Sequence, residues 1–167
     1  MELKGKLATA INDQITMEIQ ASVVYRQLAI EMDVQDLPGI SGWFLAQSGE
    51  ELEHAQKFTD HMTDRSAAPK IAAITAPNVT INSVLEAFEA SLAHEQKVSE
   101  SIRNLYRLAQ QEGDIDSIPL LNWFIEEQLE EEATVGEIIG RVKLIGGDGN
   151  GLLRLDAELG SRKDSGE

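Results

Sequence analysis

The stretch FIEEQLEEEATVGEII, Phe124 to Ile139, reads as an apolar helix interrupted by carboxylates. At 3.6 residues per turn, Leu121, Phe124, Gln128, Glu131, Val135, Ile138 and Val142 fall on one stripe. A carboxylate and an amide therefore occupy positions where core packing belongs. The same tracing elsewhere finds the same intrusion. Leu7, Ile11, Glu18, Ser22, Tyr25 and Met32 share one stripe, and Ile40, Phe44, Gln47, Glu51, His54, Phe58 and Met62 another. A further stripe holds Phe88, Leu92, Glu95, Ser99, Ile102 and Tyr106.

These stripes define four helical segments, expected from about Glu2 to Asp33, Gly39 to Arg65, Ile81 to Gln111 and Ser117 to Ile145. VQDLPG and QEGDID are short links suited to antiparallel neighbours. SAAPKIAAITAPNVT is longer, carries Pro69 and Pro77, and suits a crossover. The expected fold is all-α: a four-helix bundle over about 2–145 with a long connection between its second and third helices, all in one domain spanning 1–167. GGDGNG, Gly146 to Gly151, reads as a flexible break, since it follows a helix and lacks the lysine and hydroxyl of a phosphate loop. LLRLDAEL then suits a short fifth helix over about 152–160, with a loose tail at 161–167.

The spacing of the intruding residues makes one constellation of them. Glu18 precedes Glu51 by 33 positions and His54 by 36; Glu95 precedes Gln128 by 33 and Glu131 by 36. The second hairpin repeats the first at an offset of 77. Antiparallel hairpins of equal arms bring all six to one depth. Four buried carboxylates at one level are untenable unless neutralised. Two divalent cations balance Glu18, Glu51, Glu95 and Glu131, with His54 and Gln128 neutral. Hard oxygen donors and one imidazole suit iron or manganese, with zinc also possible, and the chain has no cysteine to form a thiolate or iron-sulfur site.

The wider composition narrows the alternatives. Lys and Arg number 14 against 29 Asp and Glu, a formal charge of -15 that repels nucleic acid and anionic lipid. No apolar run approaches the roughly 20 residues of a membrane span, and MELKGKLATAIND lacks the apolar core of a secretory signal, so a cytoplasmic protein is expected.

At these residues the chain resembles the non-haem ferritins, most closely the bacterial type. The resemblance rests on Glu18 with Tyr25 seven residues later, EELEH at Glu50 to His54, HEQ at His94 to Gln96, NWFIEEQLEEE at Asn122 to Glu132, and the short last helix. It implies an A site from Glu18, Glu51 and His54, and a B site from Glu51, Glu95 and Glu131, with Gln128 close by and Glu51 bridging. It also implies a third acidic site from Glu50, Glu127, Glu130 and Glu131, and a redox role for Tyr25. The implied activity is oxidation of Fe(II) by O2 or H2O2 at the paired irons, with ferric oxyhydroxide stored inside a 24-subunit homo-oligomer. No haem is expected, because Leu52 stands where haem-binding relatives carry methionine, and the fourth helix lacks a second Glu-x-x-His.

Plainer readings stand beside these. Glu126, Glu132 and Glu137 read as solvated face residues, and His61 and His94 as surface residues off the constellation. Tyr25 also fits a core tyrosine donating to Glu18 or a nearby carboxylate, and Trp43 and Trp123 fit packing at helix starts. Asp114 and Asp116 fit either iron entry near a subunit junction or ordinary loop acids. Two further functions remain open: a di-iron or manganese-iron oxidase of an organic substrate, and a metal-free helical module that binds a basic partner.

Overall fold

A computed structural model describes residues 2–78 and 80–161; the tail expected beyond 161 lies outside the described residues. The described residues form five α-helices: α1 (Gly5–Val34), α2 (Pro38–Asp64), α3 (Val84–Glu112), α4 (Ile118–Ile145) and α5 (Gly149–Leu159). The expected all-α bundle is therefore the fold. α1 packs along α2, α3 along α4, and α1 against α3, while α5 lies on α2 and α4.

Local chemistry sets the helix ends. Pro38 starts α2, where its missing N–H costs nothing. Ser83 caps α3 by accepting from Glu86 N at 3.2 Å, while the Glu86 carboxylate accepts from Asn82 N at 2.8 Å. The third helix accordingly begins at Val84 rather than near Ile81. Gly113, at φ 68, closes α3 in the left-handed region that suits a residue without Cβ. The fifth helix begins at Gly149, inside the segment expected to be a flexible break. Its cause is Asp148, whose carboxylate accepts from Asn150 N at 3.2 Å and Gly151 N at 3.1 Å.

The long connection is not helical, and it is tied to α1. Asn12 exchanges two hydrogen bonds with the backbone of Lys70 (3.0 and 2.6 Å), and Gln20 does the same with Thr75 (2.9 and 2.7 Å). Between them Ala72 N donates to Thr16 Oγ1 at 3.1 Å. Three side chains one turn apart thus take the place of a neighbouring strand for an extended segment.

Every named residue on the α1, α2 and α4 stripes is buried; on the α3 stripe only Leu92 and Tyr106 are partly exposed. The apolar interior falls into two clusters. One gathers Tyr25, Met32, Phe44, Phe88 and Val135 toward the α5 end. The other gathers Leu7, Ile11, Phe58, Ile102 and Phe124 toward the opposite end. Burial of such side chains is worth roughly 1.5–3 kcal/mol each, so the two clusters hold the helices together on either side of a polar layer. That layer contains the buried Glu18, Glu51, His54, Glu95, Gln128 and Glu131.

At the α5 joint, a Cβ on Gly39 would lie 1.9 Å from the Asp156 carbonyl oxygen, so only glycine allows the two helices to approach this closely. The Asp156 carboxylate, itself buried, accepts from Ile40 N at 2.8 Å.

Candidate metal centre

The polar layer is built from α1, α2, α3 and α4, one wall each. α1 supplies Glu18 and α2 supplies Glu51 and His54; among the described residues their ligand atoms all lie within 4.8 Å of one another. His54 Nδ1 is 3.5 Å from Glu51 Oε2, and its Nε2 faces Glu127 Oε1 at 4.0 Å. The imidazole is fixed edge-on against Trp123 and Phe124, at 5.6 and 5.5 Å between centroids, and Phe124 stacks on Phe58 at 4.1 Å.

Three buried ligand atoms in this group have no hydrogen-bond partner: Glu18 Oε2, Glu51 Oε1 and His54 Nδ1. Buried polar atoms are almost always satisfied, and leaving one unpaired costs about 1–3 kcal/mol. Three orphans from one constellation, on three separate side chains, describe a cradle for a cation. The electrostatics agree. Burial, followed by repulsion from Glu51, drives the Glu18 carboxyl well above the usual carboxylate range. Burial, followed by Glu95 and Glu131, does the same to Glu51. Glu131 is pushed up to about 8 by burial and then by Glu95. Such groups release their protons readily only when a positive ion replaces them.

On the α3 and α4 side, Glu95 accepts from the Tyr25 hydroxyl through Oε1 and from Gln128 Nε2 at 3.0 Å through Oε2. Tyr25 thus donates to Glu95 rather than to Glu18, and it also meets Ser91 Oγ at 2.9 Å. Burial, followed by the Glu95 charge, raises the Tyr25 phenol well above its ordinary range. Both Glu131 oxygens accept from Gln47 Nε2, at 2.9 and 2.7 Å. The second three-residue grouping of ligand atoms within 4.8 Å joins His54, Glu127 and Glu131. Glu127, one of the four acids of the expected third site, is half-buried, and burial raises its carboxyl while the charges of Glu130 and Glu50 add to the rise.

Several plainer expectations change. His94 is not a surface residue: its ring packs edge-on against Tyr25 at 6.2 Å and its buried Nε2 has no hydrogen-bond partner. His61 is half-buried and meets Ser117 Oγ at 2.8 Å. Glu132 is half-buried and accepts from Ser99 instead of facing solvent alone. Asp114 is held by Arg65 through two hydrogen bonds of 2.7 Å, which keeps its carboxyl below the usual range. Trp43 is buried against Phe44 and Phe88, whereas Trp123 is partly exposed with Lys57 Nζ 4.7 Å from its ring centroid. Gln14 was missed. It lies on the α1 stripe between Ile11 and Glu18, is buried, and donates to Glu18 Oε1 at 2.8 Å; a polar residue one turn before a ligand was its only signal.

A family profile described as the ferritin-like domain matches residues 8–145, all but the first residues of the bundle that carries these side chains. The chain belongs to the ferritin family. This ferritin is 38% identical to a bacterial non-heme ferritin of Staphylococcus aureus over 160 residues, 96% of either chain. A bacterial non-heme ferritin of Staphylococcus epidermidis is 36% identical over the same share. Among solved structures, an open pore ferritin from the archaeon Archaeoglobus fulgidus matches with a TM-score of 0.94 at 37% identity, covering 96% of this chain and 98% of that one. A humanized archaeal ferritin gives 0.95 at 36% identity, covering 97% and 98%. No helix of this ferritin among the described residues is long and apolar enough to cross a membrane.

Proposed function

We propose that this ferritin oxidises Fe(II), with O2 or H2O2 as oxidant, at a dinuclear centre within each subunit and stores the product as ferric oxyhydroxide inside a 24-subunit cytoplasmic shell. The observation that carries this reading is the trio of orphaned atoms on Glu18, Glu51 and His54, buried and within reach of one ion. Glu18, Glu51 and His54 hold the first Fe(II). Glu51, Glu95 and Glu131 hold the second, with Gln128 as a neutral neighbour that binds it weakly and lets it leave. Two adjacent irons each give one electron to a shared oxidant, and the carboxylates accommodate both oxidation states. Glu50, Glu127 and Glu130 form a third, more exposed acidic position beside His54. Tyr25, bonded to Glu95, is placed to supply a further electron to the oxidant.

The double change Glu51→Ala and His54→Ala tests this reading. Wild type given Fe(II) in air yields a soluble brown product at many irons per subunit, and the double variant loses the fast oxidation phase. Equal rates in the two proteins refute the assignment. Twenty-four copies of 18.3 kDa elute near roughly 440 kDa, whereas an oxidase of organic substrates built from a lone bundle elutes far later.

A further inference from the structure

Two carboxylates of the polar layer take amide partners from a facing helix: Gln47 on α2 serves Glu131 on α4, and Gln128 on α4 serves Glu95 on α3. Glu18 takes its amide partner from its own helix. Gln14, one turn earlier on α1 and 1% exposed, donates through Nε2 to Glu18 Oε1 at 2.8 Å. The other end of that amide is held from α3, where Ser101 Oγ donates to Gln14 Oε1 at 2.5 Å. A carboxamide has one accepting and one donating end. Turned over, the amide could still bond Ser101, whose hydroxyl also accepts, but its oxygen would then face the Glu18 carboxylate, so the carboxylate commits the N–H to Glu18 and Ser101 holds the far end in place. Oε1 of Glu18 is thereby engaged, and Oε2 is the oxygen left without any partner.

We propose that Gln14, anchored by Ser101, is a positioning residue that presents Glu18 to a metal ion as a one-oxygen ligand through Oε2. A carboxylate free to use both oxygens takes two coordination positions on an ion, while one with an oxygen tied to a donor takes a single position. The restriction leaves a position open for water or oxidant on the ion held by Glu51 and His54. Partners that orient ligands in this way typically change metal affinity 10- to 100-fold when removed. The inference rests on the reading of Glu18, Glu51 and His54 as a metal site.

The test is titration of the metal-free protein with Co(II), following the visible d–d absorption, whose intensity reports coordination number, together with the affinity of the tighter site. Glu18→Ala serves as the reference for loss of the ligand itself. Gln14→Met keeps length and apolar bulk but removes the donor, and Ser101→Ala keeps Gln14 but removes the hydroxyl that anchors the oxygen end of its amide. Ser101 is only partly buried and lines a cavity of about 220 Å³ with Asp13 and Asn104, so its truncation leaves the core intact. The expected result is about a tenfold or greater loss of Co(II) affinity with a weakened, altered d–d band in Gln14→Met, and a smaller change of the same kind in Ser101→Ala. Should Gln14→Met fail to fold, Ser101→Ala decides alone. Wild-type Co(II) binding and spectra in both variants, with Glu18→Ala weakened, overturn the role of Gln14 and leave the metal site standing. If Glu18→Ala also binds as wild type, the site reading itself fails.

Discussion

Changing Glu131 to glutamine isolates the electrostatic penalty that the polar layer places on the metal-free protein. The Glu131 carboxyl titrates at about 8 in the fold, against an ordinary value of 4.5, because it is buried and faces Glu95. A carboxyl displaced upward contributes its stability fully below pH 4.5, where both the folded and unfolded chains carry the proton. Between 4.5 and about 8 the unfolded chain ionises first, and stability drains at about 1.4 kcal/mol per pH unit. Over the whole window this amounts to about 5 kcal/mol, and water entry and rotation of neighbouring side chains reduce it to a few kcal/mol. Glutamine carries no such dependence. Metal-free Glu131→Gln and wild type should therefore differ little near pH 5 and separate progressively toward pH 8.5, the variant becoming the more stable. For a chain of this size 1 kcal/mol moves the melting temperature by about 2–4 °C, so the gap at pH 8.5 is on the order of 10 °C. Calorimetry of chelator-treated proteins at four pH values reads it directly, and saturating Co(II) should raise the melting temperature of wild type more than that of the variant. A gap that stays constant with pH, or that narrows as pH rises, refutes the argument that buried charge at Glu131 is what a cation relieves.

Three other perturbations follow from contacts described above. Tyr25→Phe removes the hydroxyl shared by Ser91 and Glu95 and leaves a buried carboxylate oxygen unserved, so the metal-free protein should lose about 1–3 kcal/mol, read as a melting temperature lower by roughly 5 °C; an unchanged melting curve contradicts this. Gly39→Ala forces a methyl into the Asp156 carbonyl, and a loss of at least about 2 kcal/mol, with faster proteolysis within α5, is the expected outcome; wild-type resistance to protease would show that the joint yields easily. The pair Asn12→Ala and Gln20→Ala should speed amide exchange at Lys70 and Thr75 by at least about tenfold while exchange in the helix interiors stays as in wild type.

Much of the architecture was legible because helical periodicity is strict: residues spaced by 3.6 on α1, α2 and α4 are the ones that pack inward, Glu18, Glu51 and Glu131 among them, and Glu95 is buried in the same way on α3. Their equal spacing along two hairpins also forecast their common depth. What escaped depends on contacts between residues far apart in the chain. Gln14 is anchored by Ser101, and Glu132 leaves solvent for Ser99, through neighbours that periodicity does not pair. His94 was set aside because its helical position points away from the constellation, yet its ring still reaches Tyr25. The start of α5 was placed late because glycine propensity argued for a break, and the capping carboxylate of Asp148 outweighed it. The pairing of Glu51 with His54 could be read from EELEH alone, whereas bringing Glu18 to them, or Glu127 and Glu131 to His54, required two helices to be set side by side.

The joint between α5 and α2 has a mechanical meaning. Gly39 and Gly160 face each other so closely that a Cβ on Gly160 would come within 2.7 Å of the Gly39 Cα, leaving no pliable side chain between them to absorb a push. The last helix is consequently seated backbone to backbone on the head of α2. Roughly three to four turns further along α2 stand Glu51 and His54. Whatever covers α5 therefore bears on the helix that carries two of the proposed iron ligands.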